Sequence, residues 1–238
     1  MKKANEREIQ NKYYAATAHK YDSMHYREKD EHQLALSFLV GVLDFFEINS
    51  VLDVGSGTGR VLRFLKDKKP AMKLMGVEPS KELREIGYQH GLSRDEIVDG
   101  VAEALPFQNE AFDLVCEFGV LHHVKQPQFA VAEMLRVAKK AIFISDANNF
   151  GQGSWFVRSL KQLINSLGLW GVVNFMKTGG KGFIVSEGDG QSYSYSAFNN
   201  YRQIKERCKI VYVVNTRESN GINLYRTAST VAFLGIKK

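Results

Sequence analysis

Apolar residues fall along this chain in short runs set between stretches of helical period. Ser50 to Val54, Lys73 to Val77, Ile97 to Asp99, Phe112 to Phe118 and Ala141 to Ser145 read as strands. Between them, Arg60 to Lys66 predicts a helix with Val61, Leu62, Phe64 and Leu65 for its sheet-facing side. Lys81 to Gly91 predicts a second, stopped by Gly91, and Phe129 to Ala138 a third. Strands that alternate with helices at this spacing predict an α/β fold with a mostly parallel sheet covered on both faces.

The flanks differ from this middle. Glu31 to Glu47 carries Leu34, Leu36, Phe38, Leu39, Val42, Leu43, Phe45 and Phe46, a helical period with a wide apolar face. Residues 1 to about 30 are polar, with Tyr13, Tyr14, Tyr21 and Tyr26 among them. That stretch suits a helix closing over a ligand, or a surface helix whose tyrosines pack on the body. After Asp146 the alternation stops. Phe150 to Gly168 opens on Gly151-Gln152-Gly153 and continues as an amphipathic helix. The 178–182 and 188–190 stretches are glycine-rich and polar, expected as flexible loops. Ala197 to Arg207 reads as a helix, and Cys208 to Asn215 and Leu224 to Gly235 as a last, hairpin-like pair at one sheet edge. Residues 148–196 exceed an ordinary connection, and such insertions are usually functional or disordered. They are expected to form a lid carrying substrate specificity.

The densest chemistry lies in Val51-Leu52-Asp53-Val54-Gly55-Ser56-Gly57-Thr58-Gly59-Arg60. An apolar strand ends in a carboxylate, a glycine turn follows, and a helix begins. Glycine lets a backbone approach a ligand closely, and a helix N-terminus offers free N–H groups. The dinucleotide fingerprint G-x-G-x-x-G would need a third glycine at Arg60. A P-loop would need G-K-[ST], which is lacking. Asp53, two residues before Gly55, would repel a pyrophosphate and suits a cationic ligand instead. That charge argument favours S-adenosylmethionine (SAM), a sulfonium, over NAD or ATP. Glu78, about 20 residues past the turn, lies where an acid accepts from ribose hydroxyls in folds of this kind.

Asp53-Val54-Gly55-Ser56-Gly57-Thr58-Gly59, Gly76-Val77-Glu78-Pro79-Ser80, Ala102-Glu103-Ala104-Leu105-Pro106-Phe107 and Phe112-Asp113-Leu114-Val115 together resemble the successive motifs of class I SAM-dependent methyltransferases, the small type-11 methyltransferase domain above all. The resemblance spans about Asn49 to Ala147. It implies a Rossmann-like seven-stranded sheet in one methyltransferase domain. An N-terminal helical cap would take 1–48, the SAM-binding core 49–147, a substrate lid 148–196, and a helix and strand pair 197–238. It implies cofactor contacts at Asp53, Gly55, Ser56, Gly57, Gly59, Glu78, Pro79, Val101, Ala102, Glu103 and Phe118. One departure stands out. The family usually has Asp where this chain has Val101, so the adenine contact is expected from the Ala102 N–H and apolar packing. Asp99 falls two residues early.

Methyl transfer chiefly requires an acceptor held in line and water kept out, and a hydroxyl acceptor adds a base. His122 and His123 after the fourth strand, and Asp146 after the fifth, are the candidate catalytic residues. His123 matches the family's recurring histidine, which shapes the start of a helix; His122 is the one expected to face the pocket. Asp146-Ala147-Asn148-Asn149 would meet a polar acceptor or be turn chemistry, and Asp189, Ser192, Tyr193 and Tyr195 suit a polyol or form a plain loop. A hydroxyl of a sugar-like metabolite is the first expectation for the acceptor. A quinone- or lipid-like acceptor, an RNA, or a SAM-binding sensor without activity are the rivals.

The whole chain has 238 residues, 44% hydrophobic and 24% charged, as in an ordinary globule. A polar N-terminus and the lack of an 18-residue apolar run lead to an expected cytoplasmic location. Cys116 and Cys208 are expected as free thiols. Net charge is +6, but the excess is scattered over Lys2-Lys3, 66–69, Lys139-Lys140 and Lys237-Lys238, so nucleic acid is not expected as a partner. The spacing of His19, His25 and His32 fits no metal pattern, and no metal is expected.

Overall fold

The computed structural model describes residues 6–25, 29–217, 219 and 221–238. Tyr26 and Lys2-Lys3 lie outside them. The strands are β1 (Ser50–Val54), β2 (Lys73–Val77), β3 (Ile97–Val98), β4 (Phe112–Phe118), β5 (Ala138–Ala147), β6 (Phe183–Ser186), β7 (Gly190–Tyr193), β8 (Cys208–Asn215) and β9 (Thr230–Lys237). Seven of them form one sheet in the order β3-β2-β1-β4-β5-β9-β8. The first five are parallel, and β9 lies antiparallel between β5 and β8. This is the Rossmann-like arrangement expected from the sequence.

Burial on both faces explains the near-continuous apolar strands. On one face Val51, Leu114, Cys116 and Phe143 meet Ala35, Leu36, Leu39 and Leu43 of the helix Glu31–Leu43, and Val61 and Leu65 of the helix Arg60–Lys68. On the other, Leu52, Val115, Ile142, Ile144 and Phe233 meet Ala130, Val131 and Met134 of the helix Pro127–Val137, with Ile204. Adjacent residues such as Val51 and Leu52 thereby serve opposite cores. The chain order reverses between β1 and β4, so their carboxyl ends open a crevice there.

Beyond β5 two expectations change and one further helix is present. Leu224–Thr227 is a short helical turn, not the start of a strand, because the Asn223 side chain caps it by accepting from Arg226 N. Trp170–Lys177 is a helix, and the glycine-rich 188–190 stretch leads into β7 of a two-stranded ribbon with β6. The ribbon rests on the N-terminal helix Glu6–Thr17: Gln191 N donates to Gln10 Oε1 at 2.6 Å, and the Tyr13 hydroxyl to Glu187 O at 2.8 Å. Partners more than 170 residues apart leave no mark on local pattern.

Asn148 ties strand to terminus. Fully buried, it donates from Nδ2 to Tyr225 O at 2.9 Å and Ala228 O at 2.8 Å, and accepts from Ser196 Oγ at 2.8 Å. Truncation strands buried carbonyls. Asn148→Ala is expected to lower stability by about 2–4 kcal/mol in urea unfolding; an unchanged midpoint would show that the clip contributes nothing.

Candidate active site

The turn after β1 is bent by left-handed backbone at Gly55, Gly57 and Gly59, with φ of 69°, 55° and 79°. A Cβ on Gly55 would strike Val120, and one on Gly59 would lie 2.1 Å from Leu92 Cδ1. A Cβ on Gly57 would come within 3.2 Å of the Tyr21 hydroxyl. The glycines are therefore demanded by the backbone and by the protein's own side chains. The ligand-approach argument accounts for less of them than the sequence suggested.

Glu78 fastens this turn. Its carboxylate accepts from Gly57 N at 2.9 Å and Ser80 N at 2.8 Å. Burial pushes its carboxyl up to about 7, against the pull of those two N–H groups. Asp53 is also buried, and burial drives it well above the usual carboxylate range. Its Oδ1 takes only a weak bond from the Cys116 thiol at 3.8 Å. Its Oδ2, like Ser56 Oγ, is a buried polar atom with no hydrogen-bond partner among the described residues. An acceptor and a hydroxyl so placed fit a ligand bearing a cationic or donor group.

Both residues line a cavity of about 710 Å³. Of the expected cofactor residues Asp53, Gly55, Ser56, Glu78, Pro79, Val101, Ala102, Glu103 and Phe118 line it; Gly57 and Gly59 do not. Asp99 turns away and pairs with Arg84 at 2.6 Å. Glu117 is buried beneath the crevice, accepting from Val120 N at 2.8 Å. The N-terminal stretch supplies a wall that sequence reasoning left open: Tyr14, Tyr21, Asp30 and His32 line the cavity. Arg60, on the helix after the turn, holds Asp30 through two bonds of 2.8 Å, which pins this wall to the corner.

The outer half is polar. Leu121–His123 is a single 3₁₀ turn after β4. Leu121 N and His122 N donate to Asp146 Oδ2, and His122 Nδ1 meets Asp146 Oδ1 at 2.7 Å. His123 Nδ1 meets Gln191 O at 2.6 Å. Both rings then direct Nε2 at Asp189, each 3.4 Å from one of its oxygens. Burial opposes charge on His122, but Asp146 and Asp189 outweigh it and hold the imidazole well above its ordinary value. Burial likewise opposes the Asp189 carboxylate, and the two histidines hold it well below. The donor atoms of His122, His123 and Asp189 lie within 4.8 Å of one another, a set able to hold a cation. The sequence reading looked for such a set only among His19, His25 and His32. His123 caps no helix; it anchors the ribbon. Asn148 and Tyr195 are buried structural residues outside the cavity, the latter bonded to Asn200 at 2.9 Å, whereas Asp189, Gln191 and Tyr193 line it.

The profile of a methyltransferase domain matches residues 52–144, the stretch that builds the inner half of this cavity. Residues 52–144 therefore carry a domain of the class I SAM-dependent methyltransferase kind. The Thermotoga maritima demethylmenaquinone methyltransferase is 32% identical over 96 residues, 40% of this chain and 42% of that protein. The Xylella fastidiosa (strain 9a5c) ubiquinone/menaquinone biosynthesis C-methyltransferase is 37% identical over 101 residues, 37% and 38% of the two chains. This chain thus spans about two fifths of the length of these curated relatives. Magnesium protoporphyrin IX methyltransferase from Synechocystis, solved with bound SAH, shares the fold over 98% of this chain and 100% of its own at TM-score 0.61 and 14% identity. Within this domain, Asp53, Ser56 and Glu78 are the groups whose chemistry fits a sulfonium nucleoside such as SAM.

A pH dependence follows. Glu78 gives up its proton near pH 7 in the ligand-free chain, and ligand groups that donate to it favour the charged form. SAM binding should release protons and tighten by about tenfold from pH 6 to 8. Calorimetry in buffers of different ionisation heat checks this, and Glu78→Gln should abolish the dependence. In the ligand-free chain the sign is opposite: a raised carboxyl contributes stability below its ordinary value of 4.5 and loses it as pH rises through about 7.

Proposed function

We propose that the chain transfers the methyl group of SAM to an oxygen of a small or medium-sized polar acceptor bound in the outer half of the cavity. The observation that carries this is the continuity of one cavity from the glycine corner to a wall of His122, His123, Asp146, Asp189, Gln191 and Tyr193. SAM supplies an activated methyl and a good leaving group. The chain has to align the acceptor, exclude water and take up a proton.

His122 is the base in this reading. Asp146 fixes the ring through Nδ1, so Nε2 faces the cavity. Asp189 occupies the position that an acceptor hydroxyl would take, and an acceptor that displaces it removes one of the two carboxylates holding the proton on His122. His122 gives its Nε2 proton to water as Asp189 leaves, and the neutral imidazole then accepts the hydroxyl proton of the acceptor as the methyl group moves from sulfur to oxygen. His123 keeps Gln191, and with it the ribbon, in place. Residues 148–196 act here as a lid that selects the acceptor.

A quinone-like acceptor is the second reading, favoured by the names of the two curated relatives. Their similarity is confined to about two fifths of this chain, and the acceptor wall draws on residues beyond the matched domain. Incubation with labelled SAM and separate panels of sugars, quinones and RNA distinguishes these. Product from the polyol panel alone supports the proposal, product from quinones alone replaces it with the second reading, and SAM binding without product points to a sensor. On the accepted substrate, His122→Ala and Asp146→Asn should each lower turnover by about 100-fold and remove the acidic limb of the pH–rate profile. Equal turnover would rule out this base.

A further inference from the structure

The helix Trp155–Ser166 lies inside out. Its polar side faces the body: Gln162 Nε2 donates to Phe150 O at 2.9 Å, Asn165 Nδ2 to the Tyr225 hydroxyl at 3.1 Å, and Lys161 Nζ to Asn149 O. Arg226 Nε returns a bond to Gln162 Oε1 at 2.9 Å. Its apolar stripe, Phe156, Leu160, Leu163 and Leu167, recurs at the spacing that normally marks a buried face, yet all four are exposed. Trp155 beside them is 74% exposed. The next helix, Trp170–Lys177, repeats the pattern with Val172, Phe175 and Met176 outward, and neither helix holds one buried residue. Ile184 and Val185 of β6 are exposed as well.

Charge says what suits this face. Residues 147–186 contain no Asp or Glu, in a chain with 26 of them in 238 residues, and carry Arg158, Lys161, Lys177 and Lys181. Lys177 and Lys181 are exposed. Exposed aromatic and aliphatic side chains, with exposed Lys177 and Lys181 in the same stretch and no acid in it, match an interface of apolar tails beneath anionic headgroups.

We infer that the outward face of residues 154–186 docks on an anionic lipid surface. No helix here is long and apolar enough to cross a membrane, among the described residues; the contact is a shallow one, with the cavity mouth held nearby through β7. This stands apart from the proposed reaction, and its test does not depend on methyl transfer.

The full chain is mixed with vesicles of phosphatidylcholine alone, or with about one third phosphatidylglycerol, and floated on a density gradient. It should rise with the anionic vesicles and hardly at all with the neutral ones. Phe156→Ser with Leu163→Ser should reduce the floated fraction by about tenfold or more, and so should Lys177→Glu with Lys181→Glu. These side chains already lie in water, so circular dichroism and melting temperature should not move; light scattering should report one mass for parent and variants. The inference fails if the chain stays at the bottom with both vesicles, or if the variants float equally well. It also fails if the parent is a dimer that the Phe156 and Leu163 changes dissociate, since the face would then be covered by a second copy.

Discussion

Four acids buried at the carboxyl ends of parallel strands set the terms for everything around them. Asp53 is the penultimate residue of β1, Glu78 follows β2, Glu117 sits in β4 and Asp146 in β5, each at most 4% exposed. A buried carboxylate must be met by donors or it will not stay charged. Three are met by the turn that follows or faces them: Gly57 and Ser80 donate to Glu78, Val120 to Glu117, and Leu121, His122 and Ala147 to Asp146. The acids thereby shape the loops that form the cavity floor. Asp53 is the exception, answered only by a thiol, and its other oxygen, like one oxygen of Glu117, has no partner among the described residues.

This division also separates the two halves of the site. The inner half is built largely from strand ends and short turns within residues 52–144, the stretch that the methyltransferase-domain profile matches. The outer half is assembled from far-separated pieces: a 3₁₀ turn, one strand-end acid, a ribbon and the N-terminal helix. Chemistry there depends on which carboxylate a histidine faces, and that is decided by packing between segments.

Legibility in the sequence follows the same line. β1, β2, β4 and β8 were readable to the residue because each is a short, mostly apolar run bounded by breakers. Nine of the eleven expected cofactor positions line the cavity because strand, turn and helix lie next to one another in the chain. Gly57 and Gly59 do not line the cavity, and a Cβ on either would meet Tyr21 or Leu92; a glycine in a sequence shows that a Cβ is unwelcome and not what would collide with it. Leu224 to Thr227 failed because one capping asparagine outweighed an apolar pattern. The pairing of His122 and His123 with Asp189, and the seating of β7 on Gln10, depend on contacts that no local spacing encodes. The helix Trp155–Ser166 is the sharpest case: its period was correct, and its orientation was the reverse of what that period normally means.

Gln10 and Tyr13 reach across the cavity mouth to Gln191 and Glu187. The wall beside the glycine corner and the wall beside the histidines are thus buckled together at their rims. Pulling the ribbon away from the helix Glu6–Thr17 would break both bonds together, so the two rims are mechanically coupled.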